Sequence, residues 1–359
     1  MSISPDAIPR LIELGRWAPS GDNTQPWRFE VIAPDNFVIH GFDTRTHCVY
    51  DLDGHPSQIA IGALIETLHI AASEQSLQLD VSRRRDAPDT IPTFDVRLST
   101  AEGRRPDPLL SAIPRRSVNR SAYSTRPLTA TEIHTLESSL PAGYSLRWYA
   151  SAAQRWQLAR LMFANAKLRL TMQEAYEVHR SVIDWDARFS ADRVPDAALG
   201  LDAMTLKLMR WALADWKRVH FLNQWLAGTV MPRLQMDFIP SLRCAAHVAL
   251  VAASPLSNVD DYVAAGRAVQ RFWLTATSLN LQHQPELTPL IFCRYVHEER
   301  EFTREPFLRQ LGAKLAQLTD ASLELPSARV AWLGRLGAGT PASARSVRRA
   351  VSQMVQRHS

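Results

Sequence analysis

The segment Arg16–Phe29, which reads RWAPSGDNTQPWRF, constrains the fold more than any other part of the chain. It follows a helical pattern of apolar residues at 8–14 and runs into an alternating strand pattern at 29–33. Proline cannot continue a helix, and Gly, Asp and Asn tolerate left-handed backbone and form local hydrogen bonds. We therefore expect a turn that presents Ser20, Asn23, Gln25 and free backbone N–H groups to a flat, hydrogen-bonding ligand. The alternative is a polar connector before a strand.

The composition is typical of a globular chain. Its 359 residues allow two domains or one large one, and 46% hydrophobic residues are enough to bury a core. No apolar run approaches the roughly 20 residues that span a bilayer, and the N-terminal residues lack the pattern of a signal peptide. We therefore expect a cytoplasmic protein without a membrane partner.

Cysteine spacing and charge weigh against two further classes. Cys48, Cys244 and Cys293 are far apart and show no paired spacing for zinc, so we expect reduced thiols and no metal site. The net charge of +5 suggests a nucleic-acid partner, but the arginines occur in short clusters without an aromatic–basic RNA motif or a recognition-helix pattern. An anionic small molecule explains the charge equally well, and we expect no nucleic-acid partner.

Hydrophobic periodicity predicts an α+β unit in the first hundred residues. A polar, proline-containing stretch at 101–108 follows and is typical of a linker. The elements predicted before the linker are strands at 29–33, 37–40, 79–82 and 93–98 and one long helix at 59–79.

The second part of the chain is predicted to be mostly helical from Arg155 to about Leu234. A capping box formed by Thr129 and Glu132 predicts the start of its first helix. The other elements predicted in this part are a helix at Met204–Leu226, a buried strand at Arg243–Ala253, a helix at Val259–Leu281 and a final strand at Val330–Gly337.

The pattern A-P-S-x-x-N-x-Q-P-W-x-F at 18–29 resembles the signature loop of the nitroreductase superfamily, whose members are FMN-dependent enzymes. The match is ungapped over twelve positions. The resemblance implies that Ser20 and Asn23 touch the flavin, and it makes Pro19, Ser20, Asn23 and Gln25 the candidate cofactor-binding residues of this loop.

Ordinary family members carry a basic motif of the type Arg-Arg-Ser-x-Arg before this loop, whereas here its counterpart follows, in IPRRSVNRSAY at 113–123. This order resembles the fused, double-length Acg-like flavin-binding proteins. The resemblance makes Arg116, Ser117, Asn119 and Arg120 candidate ligands of the FMN phosphate. Arginine supports that role independently, because its planar fork of donors matches phosphate oxygens. The alternative is a solvated basic turn.

Two half-similar domains in tandem, 1–100 and 101–359, explain the order of the motifs. In a homodimeric family member, one subunit's basic motif holds the flavin phosphate and the other subunit's loop contacts the ring edge. A tandem chain with one motif in each half keeps the parts of a single composite site. We therefore expect a nitroreductase-like α+β fold, an internal pseudo-dimer with one FMN per chain, as a monomer or a homodimer.

The tryptophan-rich helical segment at 175–228 is predicted to be an insertion. In relatives such insertions cover the flavin face and shape the substrate pocket, so we expect a lid here. The alternative is that its aromatic side chains only stabilise a helical layer.

The resemblance adds candidates from two later segments. The segment 282–289 lies where relatives line the flavin ring, and His283 within it is a candidate proton donor because histidine titrates near neutrality. The C-terminal basic stretch resembles one that reaches the phosphate, with an exposed basic tail as the alternative. The candidates from these segments are Gln284, Pro285, Leu287, Thr288, Arg345 and Arg348.

The function expected from this resemblance is an FMN-dependent oxidoreductase that transfers hydride or electrons to a small organic substrate. No catalytic side chain is assigned, since the flavin carries the chemistry. No GxGxxG motif is present, so NAD(P)H, the candidate donor, is not expected to have a Rossmann site. Two alternatives stay open: a protein that sequesters FMN with little turnover, and a relative that has lost flavin and acts as a scaffold.

Overall fold

The computed structural model describes residues 3–225 and 228–356. Its helices begin with one that leads into the signature loop and end with one near the C-terminus. They are α1 (Ala7–Gly15), α2 (His55–Ala72), α3 (Ala130–Ser138), α4 (Ala152–Thr171), α5 (Gln173–Val182), α6 (Ala203–Leu213), α7 (Trp216–Trp225), α8 (Val230–Arg233), α9 (Ile239–Leu242), α10 (Val259–Ser278), α11 (Thr288–His297) and α12 (Pro306–Leu323).

The strands form two main sheets and two short pairs. The strands are β1 (Trp27–Ala33), β2 (Asn36–Gly41), β3 (Leu77–Arg83), β4 (Thr93–Thr100), β5 (Tyr144–Tyr149), β6 (Ile183–Asp184), β7 (Phe189–Ser190), β8 (Val194–Pro195), β9 (Ala246–Ala252), β10 (Leu281–Pro285), β11 (Val330–Ala338), β12 (Arg345–Ser346) and β13 (Val355–Gln356). The sheets have the orders β13-β1-β2-β4-β3 and β10-β11-β9-β5, and the pairs are β12-β7 and β6-β8.

The first sheet grows directly from the signature loop. Trp27 and Phe29 alternate with more exposed residues along β1, so their side chains enter the core against α1 and α2. β2 pairs antiparallel with β1, Phe29 lying opposite Ile39. On the other edge β13 pairs parallel with β1, so the C-terminal segment returns to the first sheet.

The second sheet is covered on both faces, which explains why its central strand β9 is buried throughout. Val248 and Leu250 pack on the α10 side. Ala249 and Val251, which point to the opposite face, pack with apolar side chains of α4, α11 and α12. The apolar run at 243–253 therefore forms the buried strand that the sequence predicted.

The two sheets meet through α2 and α10, which cross backbone to backbone at Gly62 and Gly266. Glu66 on α2 accepts hydrogen bonds from Arg267 at 3.0 Å and Arg271 at 2.8 Å. Because α2 packs on the first sheet and α10 on the second, this helix pair joins the two sheets. The expected α+β class is confirmed, and the paired central helices support the internal pseudo-dimer.

Several predicted boundaries differ from the structure. The helix predicted at 59–79 spans His55–Ala72, because Ser76 takes a left-handed conformation (φ 53°) that turns the chain into β3. The helix predicted at Met204–Leu226 is divided into α6 and α7: Asp215 lies between them, and its carboxylate accepts the Lys217 N–H at 2.9 Å, which starts α7. Leu226 lies outside the described residues.

Two predictions in the C-terminal part also need correction. The segment predicted to line a ligand at 282–289 is not a free loop, because its first half is the strand β10, held by β11. The strand predicted to be final, at 330–337, forms β11, but the short strands β12 and β13 follow it. Within the described residues, no helix combines the length and apolarity required to cross a bilayer.

Candidate functional site

A cleft with an empty volume of about 910 Å³, counting the space open to solvent at its mouth, lies beside the crossing of α2 and α10. The signature loop, the basic motif, the C-terminal basic stretch and the end of β10 all reach it. Ten of the fourteen candidate residues line this cleft: Pro19, Ser20, Asn23, Arg116, Ser117, Arg120, Pro285, Leu287, Arg345 and Arg348.

The signature loop has a strained backbone. Asp22, Asn23 and Gln25 have positive φ angles of 48°, 62° and 51°. Such angles are uncommon for residues other than glycine, and they persist only where surrounding contacts fix them. Here the Ser20 Oγ accepts a hydrogen bond from the Gln25 N–H at 3.0 Å and closes the loop.

Asn23 and Gln25 connect the loop to distant parts of the chain. The Asn23 Nδ2 donates to the carbonyl of Val347 at 3.2 Å, while its Oδ1 is buried without a partner among the described residues. The fully buried Gln25 side chain donates to the Ala191 carbonyl at 2.9 Å and accepts from the Arg349 N–H at 3.0 Å. Gln25 therefore holds the tail and the insertion against the loop and does not line the cleft.

Three arginines converge on one side of the cleft. Arg116 lies over the Trp273 ring, 4.5 Å from its centroid, and donates to the Trp17 carbonyl at 2.9 Å. The Nε of Arg348 donates to the Ala18 carbonyl at 3.1 Å. Arg345 donates to the Pro114 carbonyl at 2.9 Å. Within 3–225 and 228–356, none of these three side chains forms an ion pair with a carboxylate.

Burial makes this arginine cluster electrostatically costly. Burial, with the nearby charges of Arg348 and Arg345, holds the pKa of Arg116 well below its usual value. Burial and the neighbouring Arg345 and Arg16 lower the pKa of Arg348 to about 9. The Nε atoms of Arg116 and Arg345 are buried and have no hydrogen-bond partner in the described parts of the chain. An arrangement of this kind binds an anion with several oxygen acceptors, since that anion supplies both counter-charge and acceptors.

The rest of the basic motif is divided between the cleft and the fold. Ser117 and Arg120 line the cleft, and the Nη1 of Arg120 donates to the Ala198 carbonyl at 3.1 Å. Asn119 is buried elsewhere: its Nδ2 donates to Gln282 Oε1 at 3.0 Å and to the Thr340 carbonyl at 2.8 Å. Asn119 thus fixes the segment that carries Arg116 and Arg120, and the structure does not bring it to the cleft.

The β10 end contributes Pro285 and Leu287 to the cleft but not Gln284 or Thr288. The Thr288 Oγ1 accepts from Asn165 Nδ2 at 2.6 Å, and Gln284 Nε2 donates to the Pro285 carbonyl at 2.9 Å. The Gln284 Oε1 is buried and unpaired within the described chain.

The proposed role of His283 as a proton donor is wrong. His283 is buried in β10, and burial lowers its pKa to about 3. One ring nitrogen lies 3.1 Å from the Arg335 carbonyl, and the other accepts from Trp332 Nε1 at 3.1 Å. Both nitrogens are therefore occupied by the protein, and the ring is neutral and structural.

The candidate residues predicted from the sequence include none from the walls of the cleft. Ile59, Ala60 and Ala63 on α2 and Trp273 on α10 line it. The small residues of α2 were a usable signal, since they permit close approach of a ligand or backbone, but the stacking of Trp273 on Arg116 depends on tertiary structure. Asp22 also lines the cleft, and burial raises the pKa of its carboxyl group against the opposing charges of Arg120 and Arg169.

The cleft therefore combines three features. One side is an anion-binding arginine cluster, the walls are apolar and partly aromatic, and the rim is the strained signature loop. This combination suits a ligand with an anionic end and a flat apolar body that carries polar edges.

No family model matches the chain. Two curated Mycobacterium tuberculosis proteins, from strains CDC 1551 and H37Rv, are each 26% identical over 190 residues, which cover 52% of this chain and 54% of theirs. Both are provisionally named NAD(P)H nitroreductases. This chain spans about half the length of the curated relatives it matches.

Two solved structures are also similar. One is the FMN-dependent nitroreductase NfnB from Mycobacterium smegmatis in complex with NADPH, with 13% identity and a TM-score of 0.36. The other is a nitroreductase with bound FMN from Bacteroides fragilis, with 13% identity and a TM-score of 0.33. Each match covers 68% of this chain and 95% of the other. Similarity at this level carries no argument about function. The curated relatives agree with the resemblance that the signature loop indicated, because this chain is similar to two proteins that are named NAD(P)H nitroreductases.

Proposed function

We propose that this protein is an FMN-dependent oxidoreductase that binds one FMN per chain in the cleft and reduces a small organic substrate. The observation that carries the proposal is the arginine cluster, Arg116, Arg345 and Arg348, which faces the cleft without a carboxylate partner in the described structure. Three converging cations without a counter-charge need an anion, and the doubly charged phosphate of FMN is one.

The unpaired atoms of the cleft fit this cofactor. Among the described residues, the Nε atoms of Arg116 and Arg345 have no acceptor and the Asn23 Oδ1 has no donor. Phosphate oxygens would supply the acceptors, and the edge of a flavin ring would supply the donor. Ala60 and Trp332 add apolar surface for a flat ring. The residues proposed to hold FMN are Pro19, Ser20, Asn23, Arg116, Ser117, Arg120, Pro285, Leu287, Arg345 and Arg348.

Bound FMN supplies hydride and electron transfer, with NAD(P)H as the proposed donor. The chain itself binds, orients and shields. The arginines anchor one end, the loop and the β10 end position the other, and the insertion residues Val194 and Ala198 cover part of the cleft and exclude water. Gln25, Asn119 and Thr288 act indirectly, by holding these segments in place. In this proposal the loop comes from the half at 1–100 and the basic motif from the half at 101–359.

Comparison of FMN with riboflavin tests the proposal, because riboflavin lacks the phosphate. We expect Arg116→Gln and Arg348→Gln to weaken FMN binding by about 10- to 100-fold, because each variant loses a charge-assisted hydrogen bond to the phosphate. Both variants should leave riboflavin binding nearly unchanged. Arg115→Gln is the matched control, since Arg115 belongs to the same motif but is exposed and bonded to Asn280. Equal losses for FMN and riboflavin would place the phosphate elsewhere.

An FMN-sequestering protein is the second candidate, and the cover over the signature loop favours it. Asn23 donates to the carbonyls of Ser190 and Arg193, and Arg120 donates to that of Ala198, so the insertion is bonded to both flavin-binding motifs. Anaerobic mixing of the FMN-loaded protein with NADH or NADPH separates the two candidates. Fast bleaching of the flavin supports the oxidoreductase. Bleaching by dithionite but not by either nucleotide supports sequestration.

A further inference from the structure

A cluster of three metal-ligating side chains lies outside the cleft, between α11 and α12. It consists of Cys293 and His297, one helical turn apart on α11, and Asp320 on α12. We propose that these three side chains form a binding site for a zinc-class divalent cation that joins the two helices. The cysteine spacing alone predicted no metal site, because the third ligand comes from another helix.

The distances within the cluster are close to those between the ligands of a tetrahedral ion, and Cys293 and His297 each face a different oxygen of Asp320. The Cys293 Sγ lies 3.6 Å from Asp320 Oδ1, and the His297 Nε2 lies 3.1 Å from Asp320 Oδ2. In a tetrahedral zinc site, a sulfur ligand lies about 2.3 Å from the ion and a nitrogen or oxygen ligand lies about 2.0 Å from it. A sulfur and an oxygen ligand are then about 3.5 Å apart, and a nitrogen and an oxygen ligand are about 3.3 Å apart. The ligand atoms, one from each residue, all lie within 4.8 Å of one another. Small side-chain movements therefore suffice to close the site.

The ligand types and charges select the class of cation. A thiolate, an imidazole and a carboxylate suit zinc or cobalt, whereas magnesium and calcium prefer oxygen ligands alone. A thiolate and a carboxylate neutralise a divalent ion. Coordination of the cation releases the proton of the Cys293 thiol.

The site has an open side for entry of the ion. Cys293 is buried beneath it, whereas the side chains of His297 and Asp320 are 49% and 40% exposed. Three protein ligands leave a fourth position for water. The cleft is at the opposite end of α11: the helix rise puts Thr288 about 14 Å from His297, and Leu287, the residue before Thr288, lines the cleft. We therefore assign the cation a structural role, in which it clamps α11 to α12.

The experiment uses full-length, tag-free, reduced protein from which metals have been removed with a chelator. Equilibrium dialysis against Zn²⁺ is expected to give about one tightly held zinc per chain. Addition of Co²⁺ is expected to produce a thiolate-to-cobalt charge-transfer band in the difference spectrum, which also cancels any flavin absorption.

Two variants and a control identify the ligands. Asp320→Asn, at a partly exposed position, is expected to weaken Zn²⁺ binding by more than about 10-fold, because even second-shell changes cost that much. Cys293→Ser removes the charge-transfer band, whereas Cys48→Ser retains it. If Cys293→Ser does not fold, His297→Gln is measured in its place, and it is expected to weaken Zn²⁺ binding as Asp320→Asn does.

Wild-type protein that retains no zinc would overturn the proposal. Equal zinc affinity in wild type and Asp320→Asn would also overturn it. The cluster would then be only a His297–Asp320 ion pair packed on a buried thiol. Metal binding here does not require flavin, so either result leaves the FMN proposal intact, and failure of that proposal leaves this one intact.

Discussion

Gly62 on α2 and Gly266 on α10 contact each other reciprocally. A Cβ on Gly62 would lie 2.0 Å from the Val263 carbonyl oxygen, and a Cβ on Gly266 would lie 2.0 Å from the Ile59 carbonyl oxygen. Each carbonyl belongs to the residue three positions before the opposing glycine. This exchange of equivalent contacts is what two half-similar units produce when they pack around a twofold-like axis, and it brings the backbones together beside the cleft.

The glycine crossing predicts a large effect of one methyl group. We expect Gly62→Ala or Gly266→Ala to lower the free energy of unfolding by about 3 kcal/mol or more, since backbone cannot move aside as a flexible side chain does. Gly339→Ala is the control, because a Cβ there would meet only contacts of 3.4 Å or longer. Chemical denaturation measures the change. A Gly62→Ala chain as stable as Gly339→Ala would contradict the close crossing.

The arginine cluster predicts that a simple anion stabilises the flavin-free protein. Inorganic phosphate should raise the Tm of the wild type by several degrees at concentrations well above its Kd, because it binds the folded chain only. Arg116→Gln and Arg348→Gln should lose this shift, and Arg115→Gln should keep it. Differential scanning calorimetry in phosphate and in a chloride buffer of equal ionic strength measures the effect. Identical shifts in all four proteins would mean that phosphate acts nonspecifically.

A buried ion pair predicts the pH dependence of stability. His247 Nδ1 lies 2.7 Å from Glu286 Oε2. Burial is the largest single influence and disfavours the charged imidazolium, but the Glu286 carboxylate and the Cys244 side chain together outweigh burial and raise the pKa of His247 to about 10. The pair therefore contributes full stability below about pH 6.5, the ordinary histidine pKa, and this contribution is lost as the pH rises through about 10.

His247→Gln should flatten this pH dependence. The free energy of unfolding of the wild type is expected to fall between about pH 6.5 and about pH 10, and the variant should show a smaller slope over the same range. His134→Gln, at an exposed position of α3, should retain the wild-type slope. An unchanged slope in His247→Gln would show that the imidazole is neutral in the folded chain.

Gln25 predicts a link between the signature loop and the C-terminal tail. Gln25→Leu leaves the partly buried Arg349 N–H and the exposed Ala191 carbonyl without their partner and removes hydrogen bonds that contribute about 0.5–1.5 kcal/mol each. We expect faster proteolysis in the region 340–356, measured by mass spectrometry of timed digests. Thr24→Ala, next to it in the loop, is the control. Equal digestion rates would show that the tail is held without Gln25.

The sequence predicted much of the site because its motifs are local. The signature loop, the basic motif and the C-terminal arginines carry their chemistry in short segments, and all three segments reach the cleft. The prediction failed where polar residues of the same motifs stabilise the fold. Gln25 and Asn119 have donors and acceptors that could bind a ligand, but they form hydrogen bonds to distant backbone groups. Residue type alone does not separate these two uses.

Tertiary packing decided the rest. His283 looked like a loop histidine, but β11 pairs with its segment and buries it. Trp273 was one apolar residue among many in α10, and its contact with Arg116 exists only because the basic motif folds back onto that helix. The metal-ligating cluster likewise depends on the packing of α11 against α12.

The visible absorption spectrum of the purified protein, recorded before and after denaturation with the protein concentration measured in parallel, tests the central claim most directly. The composite site predicts the bands of oxidised flavin at about one FMN per chain. A colourless protein that takes up no added FMN would contradict the assignment of the cleft, and two flavins per chain would contradict the single composite site.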